Sequence, residues 1–191
     1  MVTTRNSRED VVQAAGRLFS ERGYHGTSMR DLGKELGLLG SSLYSHVSSK
    51  QDLLVEVVEE GARLFESSAE SALASGGTAA TRLDTLVAGH VDVVLDNIEV
   101  ARTFLNEARM LDPDHRAPIV DARNHYEEAF RLVIREGVED GSFNRRVDVK
   151  TATIFILSIL NAVERWYNPQ GRLNRAGLVD ELSTFVRSGL V

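Results

Sequence analysis

Residues 28–52 read SMRDLGKELGLLGSSLYSHVSSKQD, and this stretch decides the architecture. It reads as two short helices parted by a glycine turn, with a third beginning after them. Ser28 caps the first, an acid follows three residues on at Asp31, and Met29, Leu32 and Leu36 face inward. Gly33 sits where a side chain would obstruct a close helix crossing, Gly37 ends the helix and Leu38 plugs the turn. The next rod, roughly Gly40 to Val47, turns Leu43 and Val47 inward and leaves Ser41, Ser42, Tyr44, Ser45 and His46 outward. A short rod held out by a rigid neighbour, bearing hydroxyls and two planar rings, suits the major groove of DNA. Lys50, with the free amides at its helix start, suits phosphate, and Thr27 and Ser28 suit phosphate across the groove. Each residue alone has a blander reading: a solvated serine-rich connector, a core tyrosine with a wet hydroxyl, a surface lysine. Their joint spacing favours the DNA reading.

Working outward, a helix from about Arg8 to Arg22 precedes this stretch. Ser7 is placed to cap it, Val11, Ala15, Leu18 and Phe19 form its apolar stripe, and Gly23 stops it. A long helix follows, capped by Ser49 and reaching about Ala72, and links an N-terminal head to the rest. After the loop ASGGT at 74–78, helical periodicity resumes at Leu83–Val94 and Val100–Leu111. Asp112-Pro113 breaks the pattern, and a further helix spans about Ala117 to Val138. Asp148 caps the apolar run TATIFILSILNAVERWY, and a last helix covers Arg175 to Ser188. The expected fold is all-α with about nine helices and no strand of useful length. It divides into a helix-turn-helix head at 1–52 and a helical body at 53–191 for ligand binding and dimerisation.

The 191 residues are 42% hydrophobic and 26% charged, as in an ordinary globule. No apolar run approaches the roughly 18–20 residues that span a bilayer, and no secretion signal is evident at the N-terminus. There is no cysteine, which excludes disulfides and thiolate metal sites and makes a reducing cytoplasm the default location. Net charge is −6, unpromising for a nucleic-acid partner until it is divided. Residues 1–52 hold seven Lys/Arg against six Asp/Glu, net +1; the remainder holds 15 against 22, net −7. An acidic body under a slightly basic head orients the head toward phosphate.

Residues 7–55 resemble the N-terminal domain of the tetracycline-repressor (TetR) family. The resemblance lies in Ala14, Leu18-Phe19, Gly23-Tyr24, Thr27-Ser28-Met29-Arg30-Asp31-Leu32, Gly37, Leu43-Tyr44, His46, Ser49-Lys50 and Leu53. Leu39 stands where the family commonly has Ser, Val47 where an aromatic often follows the His, and Gly40-Ser41 where Gly usually comes one place later. The resemblance implies a bacterial homodimeric repressor of double-stranded operator DNA, cytoplasmic and on the nucleoid when bound, whose body takes a small molecule. It implies DNA contacts from Thr27, Ser28, Met29, Leu39, Gly40, Ser41, Ser42, Tyr44, Ser45, His46 and Lys50. It implies no cofactor, no metal and no membrane.

In the body, the helix from Thr151 to Tyr167 is apolar nearly all round between Ile154 and Leu160. A helix greasy on every side needs partners on every side. With the last helix it forms an intersubunit four-helix bundle about a two-fold axis, or else it is the central helix of a monomeric bundle. The runs EGVEDGSF (136–143) and RWYNPQG (165–171) resemble the C-terminal region of acyl-CoA-responsive repressors of steroid-ring or fatty-acid breakdown. Arg165 would then hold an anionic group and Trp166 stack on a flat one, or both sit at a dimer edge. His90, Phe104, Arg109, Tyr126 and Phe130 complete the candidate ligand set, with core packing as the alternative for the phenylalanines and a snorkelling surface site for Arg109.

Two rivals remain at this level. A sensor for hydrophobic or cationic drugs shares the head, and the acidic body favours cations. A metal or acid–base enzyme would have to use His90-x-Asp92, His115 and His125, whose spacing matches no helical metal signature. The expectation is therefore a regulator and not an enzyme.

Overall fold

A computed structural model describes residues 7–38 and 40–191, with side chains throughout except at Gly40 and Ser41. The expected contacts of Leu39, of Gly40 and of the Ser41 side chain lie outside what the structure describes. Among the described residues there are nine α-helices, one 3-10 turn and no strands. None of the helices is long and apolar enough to cross a membrane.

The chain forms two compact units. The first comprises residues up to Ala62 together with Asn97–Val120. It holds α1 (Arg8–Gly26), α2 (Met29–Leu36), α3 (Gly40–Leu43) and the first half of α4 (Lys50–Ala74). It also holds α6 (Ile98–Glu107), the 3-10 turn Ala108–Met110 and the opening turns of α7 (Pro113–Asp140). α1 and α2 each begin with a capping box, Ser7 with Asp10 and Ser28 with Asp31, so the serine hydroxyl and the acid satisfy each other's orphan amides. α1 turns sharply at Gly23, whose φ of 74° lies in the left-handed region open to glycine. α2 ends on Gly37, and the Leu38 amide returns to the Gly33 carbonyl at 2.8 Å. Val11, Ala15, Leu18, Phe19, Leu32, Leu43, Val47, Leu54 and Val58 are buried and make the core of this unit. α4 crosses α6 so closely that a Cβ on Gly61 would lie 2.5 Å from the Phe104 Cβ.

The second unit comprises Arg63–Asp96 and Asp121–Val191. It holds the rest of α4, α5 (Ala79–Asp96), most of α7, α8 (Val149–Trp166) and α9 (Arg175–Ser188). α5 packs against both α8 and α9. Phe65, Leu83, Leu86, Val91, Phe130, Ile134, Leu160 and Leu178 are buried there.

Two elements differ from the sequence expectation. α3 is helical only to Leu43, and Tyr44–His46 form a tight turn. Here the Ser45 and His46 amides return to Ser42 and Leu43, three residues back, and the Ser45 hydroxyl competes for the Ser42 carbonyl at 2.7 Å. α7 begins at Pro113, not near Ala117. Proline suits a first helical position, and Asp112 Oδ1 accepts the His115 amide at 3.0 Å, so the dipeptide expected to break one helix also starts the next.

Candidate DNA-reading head and effector body

The exposed end of the head is built by α2, α3 and the turn after it. Tyr44 is 57% exposed, Ser45 is exposed, and Ser42 and His46 are half-buried. Leu43 and Val47, inward as expected, anchor this segment and leave the polar residues outside. Arg8 fixes the segment from behind: its Nη1 donates to the His46 carbonyl at 2.9 Å while its guanidinium pairs with Glu56 of α4. Ser28 is exposed at the start of α2 but is committed to its capping box. Met29, expected to face inward, is half-buried, and Arg30 beside it is exposed.

Thr27 faces inward. It is buried, and its hydroxyl reaches the Leu18 and Gly23 carbonyls at 3.1 and 3.0 Å, which leaves no free donor for phosphate. Lys50 is also drawn inward. Its ammonium donates to the Tyr24 and Thr27 carbonyls, both at 2.8 Å, and lies 4.0 Å from the centre of the Tyr24 ring. Desolvation holds its pKa below the usual lysine value. One of its three donors remains for phosphate.

In the second unit, three of the expected ligand residues meet. His90 is fully buried on α5, and its Nδ1 lies 2.9 Å from the Tyr126 hydroxyl of α7. Phe65 lies tilted against the His90 ring at 4.9 Å, and Phe65 and Phe130 meet the Tyr126 ring edge-on at 5.4 and 5.5 Å. Burial pushes the His90 pKa down to about 3, with the Leu160 backbone opposing, so the imidazole is neutral at physiological pH. Burial likewise pushes the Tyr126 phenol up. The result is an apolar aromatic cluster with one polar pair inside it.

The other expected ligand residues are elsewhere. Phe104 belongs to the first unit, where it fills the gap that Gly61 leaves. Arg109 is exposed on the 3-10 turn of that unit. Arg165 and Trp166 are exposed at the end of α8.

The apolar surface of α8 is only half covered. Ile156, Leu160 and Val163 are buried, whereas Phe155 on α8 and Phe185 on α9 are 63% and 64% exposed. Between them runs an apolar groove of about 440 Å³, lined also by Ala152, Ile159, Val186 and Gly189.

Sequence reasoning missed the residues that brace the head from α6. Glu107 Oε2 accepts the Tyr24 amide at 3.0 Å, and the Thr103 hydroxyl reaches the Gly16 carbonyl at 3.3 Å. Glu107 lies 83 residues from Tyr24, and no local pattern signals such a pair.

Residues 11–57 match the family description "Bacterial regulatory proteins, tetR family", and residues 76–190 match "Tetracyclin repressor-like, C-terminal domain". The transcriptional repressor KstR2 of Rhodococcus jostii is 27% identical over 96% of this chain and 90% of its own. The crystal structure of the TetR-family regulator PfmR from Thermus thermophilus superposes with a TM-score of 0.84 at 31% identity, covering 95% of this chain and 98% of that one. AibR, solved in complex with isovaleryl coenzyme A and operator DNA, has the same fold, with a TM-score of 0.85 at 23% identity over 93% and 96% of the two chains.

Proposed function

Because the chain belongs to the tetracycline-repressor family of transcriptional regulators, we propose that it represses transcription as a homodimer on a palindromic operator and is released by a small-molecule effector, an acyl-coenzyme A thioester. The family and the KstR2 relatives are regulators of transcription and not enzymes. A DNA-bound regulator of this kind works in the bacterial cytoplasm.

The observation that carries the DNA half is the outward set on a braced head: Tyr44 and Ser45 are exposed and Ser42 and His46 half-buried, while Leu43 and Val47 hold the segment in place. Tyr44 and the serines read base edges and phosphates, with Ser28, Met29, Arg30 and the third donor of Lys50 supporting them at the start of α2 and α4. Thr27 serves by holding the joint between α1 and α2. The reading head at 1–52 and the sensing body at 53–191 are functional divisions within this proposal.

The exposed α8–α9 face supports the dimer. Two copies joined there bury Phe155 and Phe185 and hold two heads at half-sites about 34 Å apart.

The effector half rests on the AibR likeness and on the His90–Tyr126 cluster. That cluster offers an acyl chain apolar ring faces and offers its carbonyl one polar pair. Arg165 and Trp166, exposed at the end of α8 in the same unit, are the candidates for the remainder of the ligand, with the arginine suited to its phosphates. A hydrophobic cation is the other effector class, favoured by the net charge of −7 on residues 53–191 and by the aromatic cluster. A ligand that prefers the body conformation with the wrong head spacing weakens operator binding by its differential affinity for the two states. α4, continuous from Lys50 to Ala74, is the lever.

Titrating a selected operator with the protein, alone and with isovaleryl-CoA, longer acyl-CoAs or a lipophilic cation, tests this. Weakening of roughly tenfold or more by a thioester and not by the cation is expected. Equal affinities with every ligand would remove the effector half.

A further inference from the structure

The joint between α1 and α2 is held from two sides. Gly23, with φ of 74°, turns the chain out of the α1 helix and leaves the Tyr24 amide without a helical acceptor. From α4, Lys50 takes the two carbonyls of the joint, those of Tyr24 and Thr27. From α6, the carboxylate of Glu107 takes the amide: Oε2 accepts Tyr24 N–H at 3.0 Å, and a Cβ on Gly23 would lie 3.7 Å from Oε1. Gln51 reinforces the same place, accepting the Tyr24 hydroxyl at 2.8 Å and donating to the Met110 carbonyl at 3.4 Å. The joint sets the direction in which α2, and behind it the Tyr44 segment, leaves α1.

We propose that Glu107 is a positioning residue for DNA reading: it touches no DNA, and it fixes the angle of the helix-turn-helix on α1 by accepting the Tyr24 amide. The proposal rests on the head being the DNA reader. A carboxylate suits the task because it is an acceptor with no donor of its own, and a charged acceptor makes the stronger bond. Its reach matters as much as its charge. Glu107 is the last residue of α6, so its side chain must extend to meet the amide, and an aspartate there is shorter by one methylene. Without the bond the joint samples other angles. The fraction of heads competent to bind falls, and apparent affinity falls with it.

The test uses the full-length chain and a duplex enriched by the wild-type protein from a random-sequence pool. Three variants are compared: Glu107→Gln keeps an acceptor at full reach, Glu107→Asp keeps the charge and withdraws it, and Glu107→Ala removes both. The expected order is wild type and Glu107→Gln within about threefold of each other, with Glu107→Asp and Glu107→Ala weaker by roughly tenfold. Hydrogen exchange on the free proteins is read in parallel. Amides at 24–28 are expected to exchange faster in the Asp and Ala variants and at the wild-type rate in the Gln variant, with α5 and α9 unchanged in all. Glu107→Asp, the mild change, keeps the comparison open should Glu107→Ala fold poorly. Equal DNA affinity in all four proteins, or loss in Glu107→Gln as large as in Glu107→Ala, overturns the proposal and leaves the repressor reading intact. A wild-type protein that enriches no duplex overturns both.

Discussion

His90 shows what one buried side chain does to the whole molecule's response to pH. In the unfolded chain its ring takes a proton below about pH 6.5, whereas in the folded chain burial delays protonation to about pH 3. Between those values the unfolded state holds more protons, so folding stability falls as pH falls. The expected loss from this residue is about 2 kcal/mol between pH 7 and pH 5. Urea unfolding at the two pH values measures it, and a His90→Gln chain, with no ring to titrate, lacks that part of the slope. Lys50 makes the complementary point about charge. Its place beside a capping serine reads as a phosphate contact, yet two of its donors close the α1–α2 joint. Thr27 likewise reads as a surface hydroxyl and is an internal one. A sequence gives donor types and spacing; which way a donor turns depends on carbonyls left open tens of residues away.

At the scale of elements, the caps were legible because they are local. Ser7 with Asp10, Ser28 with Asp31, and Asp148 with Thr151 each satisfy amides within three residues, and glycines at 23 and 37 mark where those helices turn or end. α3 was legible in place but not in length, since whether serines extend a helix or cut it short is decided by hydroxyl–backbone competition too fine for periodicity to show. α8 was legible through an excess: more apolar residues than one chain can bury. That excess is Phe155, with Phe185 of α9 beside it, and the same face carries a direct test. Phe155→Asp and Phe185→Asp place charges in a face proposed to be dry in the dimer and exposed in the monomer. Analytical ultracentrifugation at micromolar concentration should find the double variant monomeric, with helical content and melting temperature little changed. A dimer that persists in the double variant would move the interface elsewhere.

At the scale of the molecule, the sequence conveys a head and a body through charge and composition, but not the allegiance of α6. Its apolar pattern at Ala101 and Phe104 is that of any core helix. Its compact unit is nonetheless that of α1, because Gly61 lets α4 lie against Phe104 and because Glu107 and Thr103 reach α1. The candidate ligand residues divide for the same reason: His90, Tyr126 and Phe130 share one core, and a stretch of sequence cannot say that Phe104 does not. In the proposed dimer two such heads act together on DNA. The most direct measurement is a fluorescence anisotropy titration of a selected palindrome and of one of its half-sites, with stoichiometry read at saturation. Two chains per palindrome, bound at least roughly a hundredfold tighter than the half-site, is the expected result. One chain per duplex with equal affinity for both would contradict it.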